Sequence, residues 1–215
     1  MRMPEIVTRL GEKSAADEVV LRLARAPEAE ALGRLMSEAI TWSRMSELGP
    51  GFVTLLHRHM INSTHAICYV AEREGEIIGY SVWSVDSSKF YREFLLRHGF
   101  RAAIILAPKI FRPQQLKTIV RCLTYFPEAH PDDPQAEVLS FAVRPQVKQS
   151  GVGKAIFNAL AREMETRGVK AVKVGAVEAT NEGGNRFYSR LGCELVRTEP
   201  FYSDNQVNVY VYRIA

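Results

Sequence analysis

The stretch Lys148–Ala155, KQSGVGKA, narrows the possible folds of this chain more than any other. It lies between an apolar run typical of a strand, EVLSFAV, and a run with helical periodicity, IFNALAREMETRG. A helix N-terminus exposes unpaired N–H groups, and glycine lets the backbone come close to a ligand. This strand–glycine loop–helix unit therefore predicts an α/β domain that binds an anion at the start of the helix.

Two known phosphate-binding loops fit these residues poorly. A P-loop requires a glycine five positions before Gly153 and a hydroxyl residue after Lys154, where the chain has Lys148 and Ala155. A dinucleotide fingerprint requires a third glycine where the chain has Ile156, together with a tighter turn than RPQVKQS provides. Taken alone, the loop also fits an ordinary helix start with two glycines.

The remaining elements alternate between strand and helix patterns. Residues 19–86 are predicted to form a strand, two helices and a strand hairpin, and the chain after the loop adds helix, strand, short helix and two closing strands. Residues 86–135 have a helical pattern with internal glycine and proline, which predicts an insertion of two or three helices. We expect one domain over residues 1–215, with a loosely ordered polar start over residues 1–17.

Composition excludes several classes of protein. The chain is 47% hydrophobic and 24% charged, which is ordinary for a soluble globular protein. It has no apolar run long enough for a membrane helix and no apolar signal-peptide core at its start. Its three cysteines are far apart and cannot form an even disulfide framework, so we predict reduced thiols in a cytoplasmic protein. The net charge of +4 is too mild to indicate a nucleic-acid partner.

Positive charge is concentrated in the predicted insertion. Between Asp86 and Thr124, eight lysines and arginines face two acids, a local charge of +6. Such a segment favours an anionic partner, although a solvated helix face or a helix on a membrane surface would show the same pattern.

A second motif follows the glycine loop. FAVRPQVKQSGVGKAIFNAL and then NEGGNRFYSRLGC together resemble the GNAT superfamily of acyl-CoA-dependent N-acyltransferases. The first motif of that family, Q/R-x-x-G-x-G/A, is matched with Lys148 at its first position. The second, N-x-x-A-x-x-x-Y followed by L-G-F, is matched by Asn181 and Tyr188, with Gly184 for alanine and Cys193 for phenylalanine.

The resemblance implies a mixed, mostly antiparallel sheet with helices on both faces. The sheet would splay between its fourth and fifth strands to admit acetyl-CoA, a co-substrate, and no metal is implied. The helical insertion would precede the fourth strand. The residues implied for acetyl-CoA are the strand edge of Phe141, Ala142 and Val143, the pyrophosphate loop of Lys148, Gln149, Ser150, Gly151, Val152, Gly153 and Lys154, and the later pair Asn181 and Gly184.

Direct transfer to an amine calls for a base. A lysine-like amine with a pKa of about 10.4 lies about 3.4 units above pH 7, a cost of about 4.6 kcal/mol. AEVLSFAV resembles the histone-acetyltransferase branch, whose base implies Glu137 here. Strand alternation predicts that Glu137, Leu139, Phe141 and Val143 share one face. A base that works through water, or a solvated strand end at Glu137, is also compatible with the sequence.

The leaving thiolate calls for an acid. The resemblance implies Tyr188 in this role, and the i, i+4 pair Phe187 and Leu191 would face the core and leave Tyr188 turned aside. Core packing of Tyr188 is the structural alternative. The amide near Val143 would stabilise the oxyanion.

The acceptor is predicted less sharply. We expect a primary amine on a small molecule or peptide, and a homodimer is also compatible with the sequence. A nucleotide-linked amino sugar would suit the basic insertion, whereas lysine side chains and protein N-termini are the common acceptors of the superfamily. Three alternatives remain: an acidic carrier protein that delivers the acyl group, a longer acyl donor, and a non-catalytic acyl-CoA sensor. The wall expected to contact an anionic acceptor consists of Phe90, Tyr91, Arg92, Arg97, His98 and Arg101.

Overall fold

The computed structural model describes residues 6–9, 18–40, 44–110, 130, 132–147, 150–201 and 205–214. Within them, the strands form one sheet in the order β1-β2-β3-β4-β5-β6-β8-β7. The strands are β1 (Ile6–Arg9), β2 (Glu18–Leu23), β3 (Ala66–Arg73), β4 (Glu76–Ser84), β5 (Ala136–Val143), β6 (Ala171–Glu178), β7 (Glu194–Phe201) and β8 (Asn205–Arg213). The helices are α1 (Ala29–Ala39), α2 (Pro50–Asn62), α3 (Ser87–Ile110), α4 (Val152–Thr166) and α5 (Glu182–Arg190).

One pair of neighbouring strands, β5 and β6, is parallel, and the other described pairs are antiparallel. The parallel pairing has only two registers, Ala136 with Val172 and Glu137 with Lys173. Beyond Glu137 the two strands no longer pair, so the sheet opens along the rest of β5. Because β5 and β6 are the fourth and fifth strands of the sequence-based prediction, the expected splay is confirmed.

Helices cover both faces of the sheet, as expected. On one face, α4 buries Ile156, Phe157 and Leu160 in a core that also contains Trp83 and the α5 residue Tyr188. The other face is covered by α1, α2 and α3, whose core is separate. The open part of β5 therefore lies between two packed layers, with α4 and α5 on one side.

The predicted insertion begins with one long helix. Helix α3 runs unbroken through Gly99 and Pro108, so this glycine and this proline of the insertion do not divide it into separate helices. Phe90, Phe94, Ala102 and Leu106 are buried at helical spacing along it, and this packing outweighs the cost of a glycine and a late proline. The rest of the insertion, apart from residues 130 and 132–135, lies outside the described residues, and the single domain over residues 1–215 stays a prediction.

The start of the chain was expected to be loosely ordered. Residues 6–9 instead pair with β2 as an edge strand. The other residues of the 1–17 segment lie outside the described part of the chain.

Candidate active site

The glycine loop leads directly into α4. Gly151 caps the helix with φ +89°, a left-handed conformation that L side chains rarely adopt. The first helical bond joins the amide of Ala155 to the carbonyl of Gly151, so the amides of residues 152–154 precede the hydrogen-bonded ladder. A Cβ on Gly153 would lie 3.2 Å from the Phe187 ring. The helix start thus presents amides without side-chain bulk at its second residue, a geometry suited to an anion.

Not every predicted residue of this loop can be placed. Lys148 and Gln149 lie outside the described residues. Ser150 turns its hydroxyl back to the carbonyl of Val147, at 2.7 Å, and so helps to close the turn before the helix. Lys154 is exposed on the first turn of α4.

The free edge of β5 faces the opening. The Arg144 amide donates to the Ile78 carbonyl at 2.9 Å, so at this register every second residue of β5 directs its backbone toward β4. Ala142 therefore belongs to the β4 side, whereas Phe141 and Val143 direct their N–H and C=O groups to the side that β6 leaves unpaired. Two of the three predicted strand-edge residues thus offer backbone groups to a ligand in the opening.

A β-bulge changes which side chains share a face. The register between β4 and β5 shifts between Val82 with Ser140 and Trp83 with Val138, so Leu139 is an extra residue on β5. Ala136 and Val138 pack in the core beneath α4, and Phe141 packs against that same core, whereas Glu137 lies between the first two in sequence and faces the opposite side. The prediction that Glu137, Leu139, Phe141 and Val143 share one face is wrong because the bulge reverses the alternation.

A buried hydrogen-bond chain holds this bulge. The Tyr80 hydroxyl lies 2.7 Å from the Ser140 hydroxyl and 2.8 Å from Nε2 of His57, and Nδ1 of His57 lies 2.8 Å from the Val53 carbonyl. Burial lowers the pKa of His57 to about 4, so the imidazole is neutral at physiological pH. The Ser81 hydroxyl donates to the Ser140 carbonyl at 2.9 Å. This network was not predicted from the sequence.

Two asparagines fix the start of α5. Asn181 caps the helix by accepting a bond from the Gly184 amide at 3.0 Å, and a Cβ on Gly184 would lie 2.8 Å from its Nδ2. Asn185 donates to the carbonyls of Glu178 and Asn181 and accepts from the Tyr210 hydroxyl, which ties α5 to β6 and β8. Sequence reasoning missed Asn185, although an asparagine inside a short helix is a weak sign of such a role.

Tyr188 is buried among aromatic rings. Its ring centroid lies 6.4 Å from that of Phe141, 5.1 Å from Phe187 and 6.0 Å from Tyr210. Within the described residues, its hydroxyl has no hydrogen-bond partner. Burial raises the pKa of Tyr188, so the phenol stays protonated at physiological pH. A buried hydroxyl without a hydrogen-bond partner destabilises a fold. The Tyr188 hydroxyl is therefore a candidate for a functional role.

Glu137 sits where the pairing of β5 with β6 ends. Its carboxyl is 13% exposed, and Oε1 lies 3.6 Å from Nζ of Lys173, its register partner on β6. Burial raises the pKa of Glu137, while the charge of Lys173 and the hydroxyl of Ser87 oppose this rise. A carboxylate with a raised pKa is a better proton acceptor than a solvated one. The solvated strand end considered above does not fit this burial.

Cys193, at the end of the second motif, is not activated as a nucleophile. Burial raises the pKa of Cys193 to about 12, so this cysteine remains a thiol and a poor nucleophile.

Among the described residues, no group of three or more histidine, cysteine or acidic side chains is arranged to hold a metal ion. No described helix has the length and apolar character needed to cross a membrane.

The predicted basic wall forms only in part. Phe90 is fully buried against His59, and Arg97 pairs with Glu93 at 3.0 Å. Arg101 is exposed and lines a small cleft of about 340 Å³ between α2 and α3, together with Arg58. A second cleft, of about 870 Å³, opens at the N-terminal ends of β5 and β6. Its lining includes Ala136, the residue before Glu137.

Comparison with known proteins places this geometry in a family. The model of the acetyltransferase (GNAT) family matches residues 36–193. The chain therefore belongs to the GNAT acetyltransferase family, as its glycine loop and tyrosine motif predicted. The prediction of an acyltransferase of the N-acetyltransferase type is confirmed at this level. Comparison with curated protein sequences gives no match.

Solved structures of this fold are similar over nearly the whole chain. An N-acetyltransferase from Staphylococcus aureus has a TM-score of 0.59 and 14% identity, and covers 92% of this chain and 99% of its own. A polyamine N-acetyltransferase from Drosophila melanogaster has a TM-score of 0.59 and 17% identity, with 91% and 99% covered. The PaiA N-acetyltransferase from Thermoplasma acidophilum, solved with coenzyme A, has a TM-score of 0.52 and 12% identity, with 91% and 98% covered. At identities this low, the structural similarity shows that this chain shares their fold.

The left-handed glycine at the helix start gives a direct test of the loop. Gly151→Ala is expected to cost about 1–2 kcal/mol of unfolding free energy, because alanine is strained at φ +89°. It is also expected to weaken acetyl-CoA binding about tenfold, since a strained loop aims its amides less well. Calorimetry and thermal unfolding measure the two effects.

Gly168→Ala is the matched control for this change. Gly168 has φ +75° and open space around it, and it lies at the other end of α4. The two variants should lose similar stability, while only Gly151→Ala loses affinity. Equal affinity in both variants would contradict a binding role for the loop.

Proposed function

We propose that this GNAT family member transfers the acetyl group of acetyl-CoA directly to a primary amine, with both substrates bound at the opening between β5 and β6. The main support is the arrangement of backbone and side-chain groups around that opening. The helix start presents the amides of residues 152–154, and the β5 edge presents unpaired backbone groups at Phe141 and Val143. Tyr188 and Glu137 lie on opposite faces of the same strand.

The cofactor residues divide into three groups. The amides of residues 149–154 would bind the pyrophosphate at the α4 N-terminus, with Lys148 and Lys154 adding positive charge. Phe141 and Val143 would pair with the amide groups of the pantetheine arm, as an added strand pairs with a free edge, and Ala142 would hold the spacing between them. Asn181 would donate from Nδ2, because its Oδ1 is occupied by Gly184.

Two side chains would move protons in this reaction. Glu137 takes a proton from the acceptor amine, directly or through one water, as the nitrogen attacks the thioester carbonyl carbon. The Val143 N–H donates to the oxygen of that carbonyl as it gains negative charge. Tyr188 then donates its proton to the sulfur as the carbon–sulfur bond breaks, so free coenzyme A leaves as the thiol.

The placement of these groups supports direct transfer. Glu137 faces the α3 side of the sheet and Tyr188 the α5 side, so the amine and the thioester would approach the opening from opposite faces. Such an arrangement needs no covalent enzyme intermediate, and it brings two reactants together in a fixed orientation.

The acceptor itself is proposed to be anionic. Support comes from Arg58 and Arg101, two exposed guanidinium groups that line one cleft and are suited to phosphate or carboxylate oxygens. Glu30 also lines this cleft, and its carboxylate is paired with Arg34 at 2.5 Å. A nucleotide-linked amino sugar carries both the amine and the diphosphate that this arrangement would recognise. Lysine peptides and protein N-termini are the neutral or cationic alternatives.

Compartment and assembly complete the proposal. Cys68 and Cys193 are free and buried, which supports a reducing compartment such as the cytoplasm. A homodimer stays a prediction from the sequence.

Release of free thiol from acetyl-CoA in the presence of pooled amines is the experiment that tests the function. Four pools separate the acceptors: nucleotide-linked amino sugars, lysine peptides, polyamines and amino acids. We expect thiol release with the nucleotide-linked pool at least about tenfold above the others, the effect of one charge-assisted contact or more.

Two other outcomes of this experiment would contradict parts of the proposal. Release with a cationic pool alone would support N-acetyl transfer and contradict the anionic acceptor. Tight acetyl-CoA binding with no release in any pool, and none with longer acyl donors, would favour a non-catalytic acyl-CoA sensor over the enzyme.

A further inference from the structure

Glu137 is one end of a line of charged side chains that begins at the paired end of β5 and β6, where the opening starts. Nζ of Lys173 lies 3.6 Å from Oε1 of Glu137 and 3.5 Å from Oδ2 of Asp133. Arg197 donates to both carboxyl oxygens of Asp133, at 2.6 and 2.9 Å, and its Nε donates to Glu199 at 2.7 Å. The side chain of Asp133 is 4% exposed and that of Lys173 is 14% exposed.

We propose that Lys173 is a positioning residue of the transfer reaction, which keeps Glu137 ionised, and that Asp133 sets how much of the Lys173 charge Glu137 receives. This inference rests on the proposed function, because it assigns a role to residues that act through the proposed base.

The distances separate two kinds of contact in this line. Arg197 and Asp133 meet at hydrogen-bond distance through two parallel bonds, the geometry of a structural clamp. Lys173 is more than 3.4 Å from both of its carboxylates, outside the usual hydrogen-bond range. It therefore acts on them mainly through its charge, which is effective because both sites are poorly exposed.

The surroundings of Glu137 make this charge important. Among the described residues, the groups that face it are Lys173 from β6, Asp133 from the segment before β5, and the Ser87 hydroxyl from α3. Burial raises the pKa of Glu137, and the negative charge of Asp133 acts in the same direction. Lys173 supplies the one positive charge among these groups. Arg197 reaches Glu137 only through Asp133, whose charge it neutralises.

The sign of each substitution follows from this arrangement. Lys173→Met removes the opposing positive charge, so the pKa of Glu137 should rise further, and a higher pH would be needed to ionise it. Asp133→Asn removes a negative charge and frees Lys173 for Glu137, so the pKa of Glu137 should fall. A role in folding alone would lower activity in both variants without moving the pH dependence in opposite directions.

The test is the pH profile of kcat/KM, measured as coenzyme A formed by chromatography, with one acceptor amine for all variants. Because the acceptor is common to all profiles, its own titration does not differ between them. We expect the acidic limb of Lys173→Met to move to higher pH by about one unit or more, the effect of losing an opposite charge within about 4–6 Å. Lys173→Arg should keep the wild-type limb, and Asp133→Asn should move it to lower pH.

Two control variants define the baseline. Arg162→Met removes one positive charge from an exposed site on α4 and should leave the limb in place. Glu137→Gln should abolish the limb. Carbon-13 NMR of the glutamate carboxyls gives a second measurement that needs no turnover, since the Glu137 resonance is the one that disappears in Glu137→Gln.

The outcomes distinguish this inference from the function on which it rests. If Glu137→Gln abolishes the limb but neither Lys173→Met nor Asp133→Asn moves it, the role of Lys173 is overturned and the base assignment stands. If the limb persists in Glu137→Gln, the base assignment itself is overturned. If Lys173→Met does not fold, Asp133→Asn alone decides: a shift to lower pH supports the inference, and an unchanged limb overturns it.

Discussion

Replacement of Tyr188 by phenylalanine is expected to lower kcat by about two orders of magnitude or more, the usual contribution of a general acid. The affinity for acetyl-CoA should stay within about twofold, because the ring that packs beside the opening is retained and only the proton donor is lost. Single-turnover thiol release and calorimetric titration of acetyl-CoA measure the two quantities.

The same variant is expected to keep or gain stability. The Tyr188 hydroxyl is buried without a hydrogen-bond partner among the described residues, and burial of such a group is unfavourable. Phenylalanine removes it and keeps the ring contacts with Phe141, Phe187 and Tyr210. A variant that is at least as stable as the wild type but has lost turnover is the pattern of a functional group that is strained or unpaired in the fold.

Tyr80→Phe is the matched control, because its hydroxyl is buried and fully paired. Removal of that hydroxyl leaves His57 and Ser140 without their partner and should cost about 1–3 kcal/mol of unfolding free energy. Below its unfolding temperature this variant should retain most of its turnover. Turnover of Tyr188→Phe within threefold of the wild type would contradict the acid assignment and leave core packing as the role of Tyr188.

The parts of the site that were predictable are those carried by short stretches of sequence. The glycine loop, the helix after it and the cap at Asn181 each lie within one or two turns of chain, so their geometry follows from local rules of glycine and capping. Helix spacing was less reliable: Phe187 and Leu191 were expected to face the core and turn Tyr188 aside, but Tyr188 is the more deeply buried residue. The free edge of β5 was predictable through family resemblance, since an interrupted strand pairing leaves no local signal.

The parts that were missed depend on contacts between distant residues. The bulge at Leu139 is set by the register of β5 against β4 and by hydrogen bonds to His57 and Tyr80, none of which is visible in the strand itself. Because one extra residue reverses the alternation, the prediction that Glu137 and Phe141 share one face was wrong.

The charged line from Glu137 to Arg197 illustrates the same limit over a longer range. Its members come from the segment before β5, from β5 itself, from β6 and from β7, and the sheet order β5-β6-β8-β7 brings them together. Lys173 is the register partner of Glu137, so the parallel pairing of β5 with β6 is the information that would have identified it. The unbroken α3 was missed for a related reason, because buried side chains on one face outweighed the local preference of Gly99 and Pro108.

Glu137→Gln is expected to lower kcat/KM by about two to four orders of magnitude at neutral pH, because glutamine keeps the shape of the protonated acid and cannot accept a proton. Burial raises the pKa of Glu137, so the acidic limb of the wild type should lie above the ordinary range of a glutamate. Below that limb the wild type carries a protonated carboxyl and should approach the activity of the variant.

The wild type should lose stability relative to Glu137→Gln over the same pH range in which it gains activity. A carboxyl whose pKa is higher in the folded than in the unfolded chain binds its proton more tightly when folded, so ionisation above that pKa destabilises the fold. The variant should therefore be at least as stable as the wild type at neutral pH, and any advantage should disappear as the pH falls through the pKa of Glu137. Thermal unfolding at a series of pH values, beside the rate profile, measures both trends. A variant that retained the acidic limb and a rate within threefold of the wild type would place the base elsewhere. Loss of the limb together with higher stability at neutral pH would identify Glu137 as a carboxylate that is kept ionised for proton transfer at a cost to the stability of the fold.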